Sequence, residues 1–121
     1  MPTIFTGVTE SWGAKQKWTW QQLKDRLGQT RMKIGEDDDG KKLRIPFEEY
    51  LEYIVYNKDD SPLYLFEGSL DSMKKEVKTL MDDYTPSPIF GKNLFYLLGE
   101  DRMPPHRWFL VGPKRSGTET H

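Results

Sequence analysis

Arg107-Trp108-Phe109-Leu110-Val111-Gly112-Pro113-Lys114-Arg115-Ser116-Gly117-Thr118-Glu119-Thr120-His121 is the run that decides the fold. Residues 107–111 predict a strong strand, being aromatic and branched-aliphatic in succession. Pro104-Pro105 stiffens the approach to it, and Gly112-Pro113 turns the chain after it. The segment from Gly112 to Thr118 has the outline of a phosphate loop following a strand. That loop requires Lys directly after its second Gly, then Ser or Thr. Here Thr118 follows Gly117 with no Lys between them. Nothing at that point balances the charge of a β- or γ-phosphate, so nucleotide hydrolysis is excluded.

Moving outward, Leu63-Tyr64-Leu65-Phe66 is apolar on both faces, as in a strand covered on two sides. Before it, Phe47, Tyr50, Leu51 and Ile54 recur at i, i+3, i+4 and i+7 and predict an amphipathic helix. Pro46 suits the first turn of that helix, and Asp59-Asp60-Ser61-Pro62 breaks the pattern after it. Residues 30–34 and 41–45 predict two strands around Glu36-Asp37-Asp38-Asp39-Gly40, whose Asp-Gly pair favours a hairpin. Thr19 is a good N-cap with Gln22 completing a capping box. Trp20, Leu23 and Leu27 then share a face, and Gly28 suits the helix end. Residues 3–5 read as a short strand. Downstream, Leu70, Met73, Val77, Leu80 and Met81 mark a second amphipathic helix, and residues 94–98 a short helix ended by Gly99. Strands and helices occur without strict alternation, which predicts an α+β fold rather than a doubly wound sheet.

The chain has 121 residues, 36% apolar and 31% charged, enough for one domain with a real core. It contains no apolar run long enough to span a membrane. The residues after Met1 lack the basic region and apolar stretch of a signal peptide. With no cysteine, disulfides and thiolate metal sites are excluded, and a reducing compartment fits. A net charge of −1 gives no global field for nucleic acid.

The acidic link 36–40 fails as a calcium loop. In EF-hand register from Gly40, the first position is Gly35 and the twelfth Pro46, where Asp and Glu are required. It reads as a solvated turn. Lys41-Lys42 and Lys74-Lys75 read as solvated faces. Trp12, Trp18 and Trp20 read as core or cap residues. The histidines are His106, before the last strand, and His121. Imidazole is the commonest metal ligand, yet an isolated histidine is usually not one.

A series of motifs adds to this reading. Gly35-Glu36-Asp37-Asp38-Asp39-Gly40, Asp59-Asp60-Ser61-Pro62-Leu63-Tyr64 and Asp82-Asp83-Tyr84 lead to Arg107-Trp108-Phe109. Gly112-Pro113, Arg115-Ser116-Gly117-Thr118 and His121 follow. In this order and spacing the chain resembles the Jumonji-C (JmjC) Fe(II)- and 2-oxoglutarate-dependent oxygenases. The similar branch is the phosphatidylserine-receptor-like one, which includes bifunctional arginine demethylase and lysyl hydroxylase. The likeness runs from Pro2 to His121 and is most specific in the final run.

The resemblance implies a cupin-like double-stranded β-helix, or jelly roll. Residues 1–105 would be its helical and strand lead-in, and residues 106–121 its entry. It implies that His121 is an iron ligand of a facial triad. Thr118 and Tyr64 would donate hydroxyl hydrogen bonds to the distal carboxylate of 2-oxoglutarate. His106, where relatives often carry an aromatic, is not expected to be a ligand. The other triad members and the basic partner of 2-oxoglutarate would lie beyond these residues. The β-helix is therefore expected to be incomplete and the isolated chain inactive. Its uncovered sheet edges would favour aggregation, partial disorder or pairing with another chain.

Implied substrates are lysine or methyl-arginine side chains of histone- or splicing-factor-like proteins, with nuclear localisation. Direct nucleic-acid binding is not expected from this segment; a homo-oligomer is compatible with it. The alternative is a non-catalytic interaction module that uses helices 47–54 and 70–81. A cell-surface receptor fits poorly, with neither signal nor span in view.

Overall fold

A computed structural model describes residues 1–36, 39–68, 75–102 and 107–117. The elements run α1 (Ala14–Lys17), α2 (Trp20–Leu27), β1 (Arg31–Glu36), β2 (Lys42–Pro46), α3 (Phe47–Tyr56), β3 (Leu65–Glu67), α4 (Lys75–Lys78) and β4 (Phe109–Val111). A 3₁₀ turn, Thr79–Asp83, continues α4, and another covers Leu94–Leu98. The mixture of helices with two small antiparallel sheets agrees with the expected α+β class.

α2 starts as its sequence dictates. The Thr19 hydroxyl accepts from the Gln22 backbone N–H at 3.3 Å and satisfies one of the helix's orphan donors. Among the described residues, the Gln22 side chain does not return the reciprocal bond of a capping box. Leu23 and Leu27 face inward. Gly28 ends the helix for a reason of space. Its backbone is right-handed, but a Cβ there would lie 2.6 Å from the Lys24 carbonyl oxygen.

β1 and β2 pair as a hairpin, Arg31 opposite Pro46 through Glu36 opposite Lys42, with a register shift between Lys33 and Gly35. Gly40 holds the turn at φ 74°, a left-handed conformation that glycine adopts without steric cost. Met32 and Ile34 alternate inward. Pro46 is the last residue of β2 and caps α3, so it precedes the first helical turn rather than occupying it.

α3 turns Phe47 and Tyr50 into the core beside Leu23, Leu27, Met32, Leu65, Val77, Leu80 and Phe109. Full burial of such side chains contributes about 1.5–3 kcal/mol each. The apolar stripe of α3 is thereby committed to the interior. Leu51 and Ile54 of the same stripe pack half-buried against that core.

β3 and β4 form the second sheet, with Leu65 opposite Val111 and Glu67 opposite Phe109. The expected strand 63–66 is shifted. Leu63 is exposed, Leu65 is fully buried, and Glu67 is a buried carboxylate. Glu67 ties the two sheets together. Its Oε2 accepts from the Lys33 N–H at 3.1 Å and from Arg44 Nη1 at 2.7 Å, while Oε1 accepts from Arg44 Nη2 at 3.1 Å. A buried carboxylate is tolerated where charge-assisted bonds replace its lost hydration.

Two other expectations change, and a third is only partly within view. Residues 3–5 form no strand, and Ile4 and Phe5 are exposed; a strand needs a partner, and none pairs with them among the described residues. The expected strand 107–111 is confined to Phe109–Val111. In the helix expected over 70–81, Leu70 and Met73 lie outside the described residues, while Val77 and Leu80 are buried as predicted.

Asp83 closes this end of the fold. Its carboxylate accepts from Lys17 Nζ at 3.0 Å, Trp18 Nε1 at 2.9 Å and Arg26 Nη1 at 2.7 Å. Trp18 packs edge-on against Tyr84 and Phe109, and Trp12 lies 5.5 Å from the Tyr84 ring. Trp20, by contrast, is exposed. No helix among the described residues is long and apolar enough to cross a membrane.

Candidate functional site

Tyr64 is placed by its neighbours along the chain. The hydroxyl of buried Tyr50 accepts from the Leu65 N–H at 3.0 Å and donates to the Val111 carbonyl at 2.8 Å, with the Leu63 carbonyl a further acceptor at 3.2 Å. Burial, which disfavours the charged phenolate, pushes the Tyr50 pKa up to about 12. Tyr53 holds the same loop from outside. Its hydroxyl donates to Asp59 Oδ2 at 2.6 Å and accepts from the Leu63 N–H at 2.9 Å. Its pKa is also raised, by burial first and by the bond to Asp59 second. Both residues flanking Tyr64 are thus fixed through their backbone groups.

The Tyr64 ring stands edge-on to Phe66, centroids 6.2 Å apart. It faces a cavity of about 500 Å³ whose wall also includes Lys33, Gly35, Leu63 and Gly117. Among the described residues the Tyr64 hydroxyl has no hydrogen-bond partner. Lys33 Nζ lies 2.6 Å from Glu36 Oε1.

The segment after β4 approaches Tyr64 closely. A Cβ on Gly112 would sit 3.3 Å from the Tyr64 Cβ and collide with Ser116 Oγ. A larger residue there would displace the Ser116 hydroxyl from its present rotamer and press on Tyr64. The Ser116 hydroxyl donates to the Pro113 carbonyl at 2.8 Å and closes the turn. Arg115 takes φ 76° within it. Its Nη2 donates to the Asp59 carbonyl at 2.8 Å, and Nη1 approaches Asp60 Oδ1 at 3.3 Å.

The structure therefore brings Tyr64 and Gly117, the residue before Thr118, to one cavity. Thr118 and His121, the other expected site residues, lie outside the described residues, as does His106. Among the described residues no cluster of three His, Cys, Asp or Glu side chains could hold a metal ion. Sequence reasoning missed Tyr50, Tyr53 and Arg115 as the residues that set the geometry. Tyr50 carried the signal of an apolar helix position, and its hydroxyl partners are remote in sequence. Arg115 stood in view between Pro113 and Ser116, but its partner loop could not be named.

No protein-family model matches the chain. Among curated proteins, it is 43% identical over its whole length to the bifunctional arginine demethylase and lysyl-hydroxylase psr-1 of Caenorhabditis elegans. It is 41% identical to the protein of the same name from Caenorhabditis briggsae. With 99% of the chain aligned, it is 32% identical to the lysine-specific demethylase JMJ21 of Arabidopsis thaliana. The chain spans 30% of the length of either nematode relative and 12% of the plant one.

Proposed function

We propose, for a chain that belongs with the Jumonji-C demethylases and lysyl-hydroxylases along its whole length, that the protein carrying it is a 2-oxoglutarate- and Fe(II)-dependent oxygenase of protein side chains. The observation that carries this reading is the whole-chain identity of 43% to a relative named for both reactions. Residues 1–121 are the N-terminal part of its JmjC domain, leading into a cupin-like β-helix.

Tyr64 and the cavity beside it support the co-substrate part of this reading. Tyr64 offers a neutral phenol with no other partner among the described residues, on the wall of a cavity sized for a small dicarboxylate. Such a donor binds a carboxylate without adding a fixed charge. Thr118, one residue beyond Gly117, would supply a second hydroxyl, and His121 would hold the metal through a neutral imidazole nitrogen. Fe(II) with 2-oxoglutarate would activate dioxygen, the oxidant, one oxygen atom ending in succinate as 2-oxoglutarate loses CO2 and the other in a hydroxyl on an unactivated C–H bond. On a lysine chain carbon that hydroxyl is retained. On an N-methyl group of arginine it leads to loss of formaldehyde, and hence demethylation. The substrates are lysine or methyl-arginine residues of nuclear proteins of the histone or splicing-factor kind.

A second reading has one observation in its favour. Leu94, Phe95, Tyr96, Leu97 and Leu98 are all exposed in one 3₁₀ turn, and a contiguous apolar patch marks an interaction surface. The chain would then serve partner binding without chemistry.

Succinate release from 2-oxoglutarate by the complete protein, with a lysine- and methyl-arginine-bearing peptide, decides between them. Turnover is expected, with Tyr64→Phe raising the KM for 2-oxoglutarate about tenfold through loss of one charge-assisted hydrogen bond. No turnover in the complete, metal-loaded protein would favour the interaction reading, and an unchanged KM would remove Tyr64 from the site.

A further inference from the structure

Arg115 has a backbone that a side-chain-bearing residue rarely adopts, φ 76°. A left-handed position in a turn is ordinarily given to glycine or asparagine. Retaining arginine there needs a compensating role for the side chain, and the contacts supply one. The guanidinium reaches from the turn 113–116 to a second loop, donating to the Asp59 carbonyl at 2.8 Å and approaching Asp60 Oδ1 at 3.3 Å. Asp59 is itself anchored, because its Oδ2 accepts from Tyr53, whose hydroxyl also accepts from the Leu63 N–H. A continuous chain of hydrogen bonds therefore runs from Arg115 through Asp59 and Tyr53 to the residue before Tyr64.

Of the two segments joined this way, one leads to Tyr64 and the other to Gly117, both on the wall of the cavity. Tyr64 follows the loop that holds Asp59. Gly117 follows the turn that holds Arg115. Tyr50 pins the same pair of segments from the core, through Leu63, Leu65 and Val111. On the outer side the link is made by Arg115. Its ion pair with exposed Asp60 is weak in water, so the directional bond to the Asp59 carbonyl is the part that fixes geometry.

We propose that Arg115 is a positioning residue for the co-substrate: its guanidinium clips the turn 113–116 onto the loop that leads to Tyr64, and so fixes where the Tyr64 hydroxyl stands in the cavity. This rests on the reading of Tyr64 as a 2-oxoglutarate donor.

The test uses the complete protein and compares Arg115→Gly, Arg115→Ala, Arg115→Lys and Tyr64→Phe. Glycine relieves the left-handed backbone while deleting the clip, whereas alanine deletes the clip and keeps the strain. If the clip matters, Gly and Ala each raise the KM for 2-oxoglutarate about tenfold, a change of about 1.4 kcal/mol. The KM for the peptide substrate stays within twofold, and Lys, which keeps one donor, falls between them and the parent. Three results would overturn the proposal: an unchanged 2-oxoglutarate KM in both deletions, restoration by Gly alone, or a parallel rise in the peptide KM that marks general loosening. Tyr64→Phe separates the two levels. If it leaves the 2-oxoglutarate KM unchanged, the co-substrate reading itself fails. If it raises that KM while the Arg115 variants do not, only the positioning role fails.

Discussion

Asp83 keeps its charge although its side chain is almost wholly removed from water. Burial alone would raise its pKa, but the bonds from Trp18, Arg26 and Lys17 outweigh it and hold the carboxyl below its ordinary value of 3.8. The folded pKa is depressed, so the stability it contributes is present above the unfolded pKa and lost as pH falls through the folded one. Asp83→Ala should therefore lower the unfolding free energy of the complete protein by about 3 kcal/mol at neutral pH. In denaturant titrations the gap to wild type should close as pH falls below 3.8; a constant gap down to acid pH would contradict it. Tyr50 has the opposite sign. Its pKa is raised from 10.0 to about 12, so its contribution is complete below pH 10 and fades as pH climbs toward 12. Tyr50→Phe should abolish that alkaline loss, followed by the same titrations at high pH. None of these roles was legible in the sequence. Tyr50 was legible as an inward position of a helix, Asp83 only as part of an Asp-Asp-Tyr motif. What each bonds to depends on chain crossings that local pattern does not encode.

At the scale of elements, whatever rests on neighbours in sequence could be read, and whatever rests on distant pairing could not. The N-cap of α2, the hairpin with its Gly40 turn and the inward face of α3 follow from rules acting within a few residues. Thr19→Ala should accordingly cost about 1 kcal/mol; a change within 0.3 kcal/mol, by the same denaturant titrations, would show that the cap is idle. β3 was misplaced because its limits are set by β4, which pairs with it from the far end of the chain. The apolar letters of Leu63 and Leu65 look alike, yet one is exposed and the other fully buried. The buried Glu67 had no sequence signal, since its burial depends on Arg44 arriving from the hairpin. The helix expected over 70–81 tightens at Thr79 into a 3₁₀ turn that ends on Asp83, where the carboxylate is held by residues of another helix pair. For the candidate site, composition and spacing alone offered a doubtful histidine. Tyr64 and Thr118 entered only through the resemblance, and the bond from Arg115 to the Asp59 loop depends on a chain crossing that no local pattern encodes.

At the scale of the whole molecule, a packed core coexists with exposed apolar residues. Leu94, Phe95, Tyr96, Leu97 and Leu98 are open to solvent, as are Trp108 and Leu110 on the second sheet. Surface of this kind marks an interface, and the nematode relatives are more than three times as long as the matched segment. We propose that this surface meets the rest of one oxygenase domain, with a co-substrate cavity beginning at Tyr64 and a metal held in part by His121. The most direct test is an anaerobic titration of the complete protein with Fe(II) and 2-oxoglutarate, followed by the visible charge-transfer absorption of the chelated metal. The wild-type protein should develop the band at one equivalent of iron, and His121→Ala should not. A band of equal intensity in His121→Ala, or none in the wild type, would contradict the account.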